Sequence, residues 1–447
     1  MSGLVLAVLV VGVTTTAWSL VGLCRLAAAA YGSVTPAHPG THRRTPHPPT
    51  PEQVAILVAA HDEELVVEQT VRSATRLVAP TQVYIVSDGS QDRTVELARR
   101  SGAHVLDLQP NRGKAGALAA GIEHFGLCDR YEVVMLLDAD TQPADDYLTT
   151  ALPLFADPEV VAVAGRARTI FEPASPTLLG RFLVAYRERL YVVVQLLLKY
   201  GQAARPANAV PIVPGFASLY RSRALREIDV AAPGLVIEDF NMTFEVHRKR
   251  LGRIAFHPAA ATAYTQDPDR FRDYRLQVRR WLLGFWQTVR LHGVHRGVFW
   301  AALWLFVVEL VGSCLVWLLV LPLLACSLVA SALVASTAAA PGWLVWLAGL
   351  LSVRDVLLGV LLPDLLMTLL AAISTRRAAY LLYAVGFPAL RVVDAALCLA
   401  ALARAWAGPS TGRWVSPARR RATVTSSSPS TPAPPADGLP SATGDHP

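Results

Sequence analysis

Hydrophobic positions along this chain fall into three regimes. An apolar run covers residues 4–23. From 33 to 295 short apolar runs alternate with charged and polar residues. From 298 to 406 the apolar stretches are long and charges are rare. In the middle regime residues 54–60 (VAILVAA) form a short continuous run, the pattern of a strand buried on both faces. The spacing then predicts a helix over 64–77, a strand over 82–87, and a helix over 94–100 that Gly102 stops. A strand over 104–108, a helix over 114–125 and a strand over 133–137 follow. This alternation predicts an α/β domain with a mainly parallel, Rossmann-like sheet and helices on both faces.

The outer regimes are too apolar for a soluble core and read as membrane. No Lys or Arg precedes the run over 4–23, and its length suits a membrane helix better than a cleaved signal core. Arg25, Arg43 and Arg44 follow it, which places the N-terminus outside and the α/β domain in the cytoplasm. Four spans are expected, over 298–318, 321–338, 343–373 and 379–405. They return the tail to the cytoplasm but leave Arg376 and Arg377 outside, against the positive-inside tendency. Glu309, Arg354, Asp355, Asp364, Arg391 and Asp394 lie inside or beside these runs, where they either pair or line a polar path. The resulting domains are an N-terminal transmembrane helix (1–30), a Pro-rich linker (31–53), the α/β domain (54–270), an amphipathic interfacial helix (271–296), the spans (297–406), and a basic then disordered tail (407–447).

The net charge of +7 raises nucleic acid as a partner. The basic residues instead flank apolar runs (Arg272, Arg275, Arg279, Arg290, Arg296, and Arg419 to Arg421), where anionic lipid headgroups attract them. No aromatic-plus-basic RNA motif is present, so nucleic acid is excluded. Of the five cysteines, three lie in apolar runs and none forms a C-x-x-C pair; a disulfide framework or zinc site is not expected.

Candidate chemistry collects at the ends of the predicted strands, where open α/β sheets bind ligands. Asp88 ends one strand; Asp138 and Asp140 end another and form a D-x-D able to hold a hard divalent cation with phosphate oxygens. A second D-x-D, Asp267-Pro268-Asp269, sits in loop sequence and reads as the start of the next helix. Asp88-Gly89-Ser90 alone is equally a turn, and the segment 111–116 (NRGKAG) equally a helix N-terminus; it lacks Walker spacing. Glu238-Asp239, after an apolar run, reads from spacing alone as a charge complement to a helix start. Gln277, Arg280 and Trp281 in Q-V-R-R-W share one helical face, offering an amide, a guanidinium and an indole to a diphosphate and a sugar ring. The same helix carries enough Arg and aromatic residues to lie on lipid.

Taken in order, Ala60-His61-Asp62-Glu63-Glu64, Ser87 to Ser90, Asn111 to Leu118, Asp138 to Thr141, Glu238-Asp239 and Gln277 to Trp281 resemble the family 2 glycosyltransferases. The resemblance covers about 54–289 and is strongest to the membrane-bound branch with cellulose, hyaluronan, chitin and poly-N-acetylglucosamine synthases. It implies a GT-A-like fold and an inverting transfer from a nucleotide sugar, of the UDP type, to a glycan. By that resemblance Asp62 and Asp88 hold the uridine half and Lys114 lies near the nucleotide. Asp138 and Asp140 bind donor and metal (Mg2+ or Mn2+), Asp140 the more directly. Asp239 is the general base, Gln277 and Arg280 contact the diphosphate, and Trp281 with Glu238 serves the acceptor. Two departures stand out. His61-Asp62 replaces the commoner Tyr/Asn, and Ile237 replaces the Thr usual in polymer-forming members. Transfer to a membrane lipid, as in ceramide or hopanoid glucosyltransferases, is the alternative. A non-catalytic scaffold or transporter is the alternative of another class. Partner subunits are not legible.

Overall fold

The computed structural model describes residues 3–34, 47–170, 174–205 and 207–408. Part of the Pro-rich linker (35–46) and the tail from 409, with Arg419, Arg420 and Arg421, lie outside the described residues. The strands in chain order are β1 (Val54–Ala60), β2 (Val83–Asp88), β3 (His104–Leu108), β4 (Val133–Asp138), β5 (Gln142–Pro143), β6 (Val160–Ala164), β7 (Arg166–Thr169), β8 (Ala217–Arg221), β9 (Arg253–Ala255) and β10 (Thr262–Thr265). Seven form one sheet in the order β3-β2-β1-β4-β8-β6-β9; β5, β10 and β7 form a smaller one. From β3 through β2 and β1 to β4 the strands are parallel, and β8 alone runs against its neighbours. The sheet is mainly parallel, as expected, with one reversed strand that the apolar pattern did not mark.

β1 shows why its sequence is continuously apolar. Ala55, Leu57 and Ala59 enter the core on one face, while Val54, Ile56, Val58 and Ala60 enter the core on the other. Side chains alternate faces along a strand, so one run of seven fills two cores. Each fully buried Val, Leu or Ile contributes roughly 1.5–3 kcal/mol. The helix Gly113–His124 packs over β1 and β2 so closely that a Cβ on Gly121 would fall 2.6 Å from Val86. In register, Ala60 lies opposite Ser87 and Ala59 opposite Asp138. That brings His61-Asp62, Asp88 and Asp138 to one edge of the sheet. The helix expected over 64–77 is shorter, Val67–Ala74. Glu63 and Glu64 are held outside it, their N–H groups donating to Thr94 Oγ1 (2.8 Å) and Asp92 Oδ2 (3.0 Å).

The apolar regimes fold differently from four spans plus one straight anchor. The opening run breaks at Gly12 into Gly3–Val11 and Val13–Val34, bent by 75°. Gly12 takes φ +88°. The Glu309 carboxylate accepts from Val13 N (2.9 Å), Thr14 N (3.1 Å) and the Thr14 hydroxyl, satisfying N–H groups that a helix start leaves open. The runs over 298–318 and 321–338 are one helix, Val298–Ser336, that continues through Pro322; a proline removes one hydrogen bond, which membrane helices tolerate. The run over 343–373 is interrupted after Gly342–Ala348 and resumes at Val353–Val356, passing through a π-helical turn (Leu357–Leu361) into Leu362–Thr375. Among the described residues two stretches, Val298–Ser336 and Gly342–Thr375, are long and apolar enough to cross a membrane, or three with the bent opening pair.

The fourth expected span is instead Tyr380–Tyr383 and Phe387–Ala407, the latter packed along the helix Phe271–His292. Tyr274 and Tyr186 donate to Asp394 (2.6 and 2.8 Å). The charges in these runs are largely engaged. Arg189 grips Asp364 through both nitrogens (2.8 and 2.9 Å), Asp355 accepts from Ser352, and Arg391 lies over Trp317.

Candidate active site

Eight of the ten residues singled out in the sequence line one cavity of about 630 Å³: Lys114, Asp138, Asp140, Glu238, Asp239, Gln277, Arg280 and Trp281. Asp62 and Asp88 do not line it. They knit the loops behind it. Asp88 is fully buried, accepts from Arg112 N (2.7 Å) through Oδ1, and keeps Oδ2 buried without a partner. Burial holds its pKa above the usual carboxylate value, although the Arg112 and Gly113 N–H groups work against that. Asp62, at φ +53°, accepts from Gln91 N (2.8 Å). Between them Gly89 takes φ +70°, where a Cβ would also meet Asn111 N at 3.0 Å, so only glycine fits.

At the centre, Lys114 Nζ lies 2.7 Å from both Asp138 Oδ1 and Glu238 Oε1 and donates to Gly215 O (3.1 Å). Burial opposes its charge, but Asp138 and then Glu238 outweigh it and keep the ammonium protonated above the ordinary lysine range. Glu238 is correspondingly held ionised, Lys114 overcoming the burial penalty. The contact with Lys114 holds Glu238, which the resemblance gave to the acceptor, beside Asp138. Gly215, which the sequence reading missed, is the keystone. A Cβ there would stand 2.9 Å from both Glu238 Oε1 and Lys114 Nζ, and its N–H donates to Asp239 Oδ2 (3.2 Å). The Pro214-Gly215 turn before β8 was the available signal.

Asp239 opens the helix Asp239–Arg248, and its Oδ1 accepts from Phe240 N (2.7 Å). A helix N-terminus favours a carboxylate, yet burial and then the neighbouring Glu238 charge raise its pKa to about 7. A mere dipole complement would be shifted the other way.

Gln277, Arg280 and Trp281 present one face of Phe271–His292 to the cavity, with Gln277 Oε1 and Arg280 Nε buried and without a hydrogen-bond partner among the described residues. The loop before Glu238 is pinned to this helix. Val236 N donates to Gln287 Oε1 (3.1 Å), and Ile237 presses on Gly284, where a Cβ would come within 2.8 Å. Behind Trp281 the Arg187 guanidinium sits 4.1 Å from the ring centroid. Arg187 pairs with Asp267 (3.4 Å), which also accepts from Tyr191 (2.8 Å) and Thr169 (2.7 Å). The second D-x-D therefore does not simply start a helix: Asp267 is the buried counter-charge of the cation under Trp281, and Asp269 accepts from Ser175 (2.9 Å). Arg187 lies in a segment where the sequence reading assigned no element.

Residues 55–229 match the family model described as glycosyl transferase family 2. That segment is similar to the family 2 glycosyltransferase domain. The chain is 27% identical over 253 residues to a poly-beta-1,6-N-acetyl-D-glucosamine synthase of Staphylococcus epidermidis, covering 54% of this chain and 58% of that one. It is 28% identical over 215 residues to the synthase of the same name from Staphylococcus aureus strain COL, covering 47% and 49%. It thus spans about half the length of the curated relatives it matches. Among solved structures it is similar to a mannosyltransferase from Pyrobaculum calidifontis in complex with GDP-Man and Mn2+ (20% identity, 87% of this chain and 99% of that one, TM-score 0.48). It is also similar to glucosyl-3-phosphoglycerate synthase from Mycobacterium tuberculosis (16% identity, 53% and 80%, TM-score 0.36).

Two carboxylates one residue apart at a strand end suit a hard divalent ion. Burial and the neighbouring Asp140 charge both raise the Asp138 pKa, and Lys114 only partly relieves it; a cation there would relieve it further. Among the described residues no three His, Cys, Asp or Glu side chains gather to hold a metal unaided.

Proposed function

We propose that this glycosyltransferase moves a sugar from a UDP-type nucleotide sugar to an acceptor hydroxyl at the cytoplasmic membrane face, inverting the anomeric carbon. The observation that carries the reading is Asp239: a carboxylate whose pKa is raised to about 7, in the same cavity as Lys114, Arg280 and Trp281. A general base works best with its pKa near the working pH. The acceptor oxygen attacks the anomeric carbon as its proton passes to Asp239. The bond from that carbon to the diphosphate oxygen breaks, and the nucleoside diphosphate leaves with the electron pair. Arg280 and Gln277 stand as preplaced partners for the departing diphosphate, fixed polarity where negative charge grows. Trp281, stiffened by Arg187, offers a flat apolar floor to the acceptor. Asp138 and Asp140 would hold a divalent cation that neutralises phosphate charge.

The likeness to poly-N-acetylglucosamine synthases favours a β-linked glycan product. Ile237, packed on Gly284 where polymer-forming members usually carry Thr, favours the second reading, a single transfer to a membrane lipid. Purified full-length protein in lipid nanodiscs, given a panel of labelled nucleotide sugars with Mg2+ or Mn2+ and membrane extract, tests the proposal. Transfer of label from a UDP-sugar to a polymer or lipid is expected. Failure with every donor contradicts it.

A further inference from the structure

The cavity contains a buried lysine that the proposed chemistry does not use. Lys199 closes a π-helical turn, Val194–Lys199, that continues the helix Leu178–Val193. Such turns recur at functional sites because the extra residue pushes side chains out of helical register. This one is clamped to β7: Gln195 Oε1 accepts from Ala167 N (2.8 Å) and its amide donates back to Ala167 O (3.2 Å). Lys199 is only 4% exposed and lines the same cavity as Asp239 and Trp281. Its ammonium faces the Phe256 ring, 5.4 Å from the centroid. Among the described residues it has no side-chain hydrogen bond or ion pair.

We infer that Lys199 is an anion-binding subsite for the acceptor, which carries a phosphate or carboxylate near the hydroxyl that reacts. This rests on the transferase reading above. A buried ammonium is costly unless something pairs with it, and a cation–π contact with one Phe is a weak substitute. The diphosphate of the donor is provided for elsewhere, by Arg280 and the Lys114 side of the cavity. Lys199 belongs to the base side: it lines the same cavity as Asp239, whose charge opposes the effect of its burial. Burial lowers its pKa to about 8, with Asp239 opposing, so it remains mostly charged at neutral pH. The cavity wall also includes the apolar side chains Leu190, Val194, Ile212 and Val230. An anion attached to an apolar or sugar body fits this wall better than a free ion.

The test is binding of probes to the full chain in nanodiscs of zwitterionic lipid, saturated with UDP and Mg2+ so that the nucleotide site is filled. Octyl glucuronide is compared with octyl glucoside, and octyl phosphate with inorganic phosphate. In the wild type the glucuronide should bind at least about tenfold more tightly than the glucoside, the effect of one charge-assisted bond. Lys199→Met should abolish that preference, Lys199→Arg should keep it, and UDP affinity should be unchanged in both. Equal binding of glucuronide and glucoside to the wild type, or a preference that survives Lys199→Met, overturns the subsite. Equal affinity for octyl phosphate and inorganic phosphate overturns its assignment to the acceptor. Loss of UDP binding by Lys199→Met would show that Lys199 supports the fold or donor site instead. A wild type that does not bind UDP contradicts the transferase reading itself.

Discussion

Asp239 and Lys114 carry opposite lessons about burial. Both are enclosed beside Glu238, but Lys114 gains two carboxylates while Asp239 gains a like charge, so one is locked charged and the other is poised to titrate. Below about pH 7 Asp239 holds a proton and cannot accept another. Transfer should therefore fall about tenfold per pH unit on the acid side, with an apparent pKa near 7 in the kcat/KM profile. A flat profile between pH 5 and 8 would remove Asp239 from the chemistry. Asp140→Ala should abolish metal-stimulated donor turnover while the protein still folds and inserts; unchanged turnover in metal-depleted membranes would contradict its role as ligand. Arg187 acts only through Trp281. Arg187→Met leaves Asp267 buried without its partner, so a loss of roughly 3–5 kcal/mol in stability is expected. In the fraction that folds, acceptor KM should rise more than kcat falls. A change in kcat alone would mean that Arg187 does not position the acceptor floor.

At the scale of elements, the devices that fix the site are close approaches and caps. Glu309 caps the second half of the broken opening helix, and Glu309→Ala should cost about 1–2 kcal/mol by that loss, read as a lower detergent-melting temperature; an unchanged melting temperature would show that the break needs no cap. Much of the α/β domain was legible because parallel buried strands and their acidic ends leave a strong local signal, as 54–60 and Asp138-Ala139-Asp140 show. What was not legible depends on distant partners. The break at Gly12 is set by a carboxylate almost three hundred residues away. Pro322 marks a boundary locally but lies inside a continuous helix. Asp267 reads as a loop acid until Arg187 is brought beneath Trp281. The cavity united Lys114, Asp138, Asp140, Glu238, Asp239, Gln277, Arg280 and Trp281 as the motif order implied. Asp62 and Asp88 do not line it, a difference that no spacing encodes.

For the whole molecule, we propose that the merging of two expected spans removes the charge conflict met in the sequence. With Val298–Ser336 and Gly342–Thr375 as two crossings, Arg376 and Arg377 return to the side of the catalytic domain, as the positive-inside tendency asks. The Tyr380 hydroxyl donating to Glu188 of that domain agrees with this. Single cysteines introduced in a background without native ones should be labelled by an impermeant reagent from outside at Thr337 and only after permeabilisation at Arg376. The reverse, or labelling of both from one side, would require another crossing. Under the proposed function, the acceptor cavity would then lie where a membrane surface and a cytoplasmic nucleotide sugar meet. The central claim is that Asp239 takes the acceptor's proton there. Asp239→Asn keeps the shape and the capping oxygen but not the basicity. The decisive measurement pairs nucleotide affinity with single-turnover sugar transfer in this variant. Unchanged affinity with transfer reduced at least about 100-fold is the expected result, and transfer within a few-fold of the wild type would contradict it.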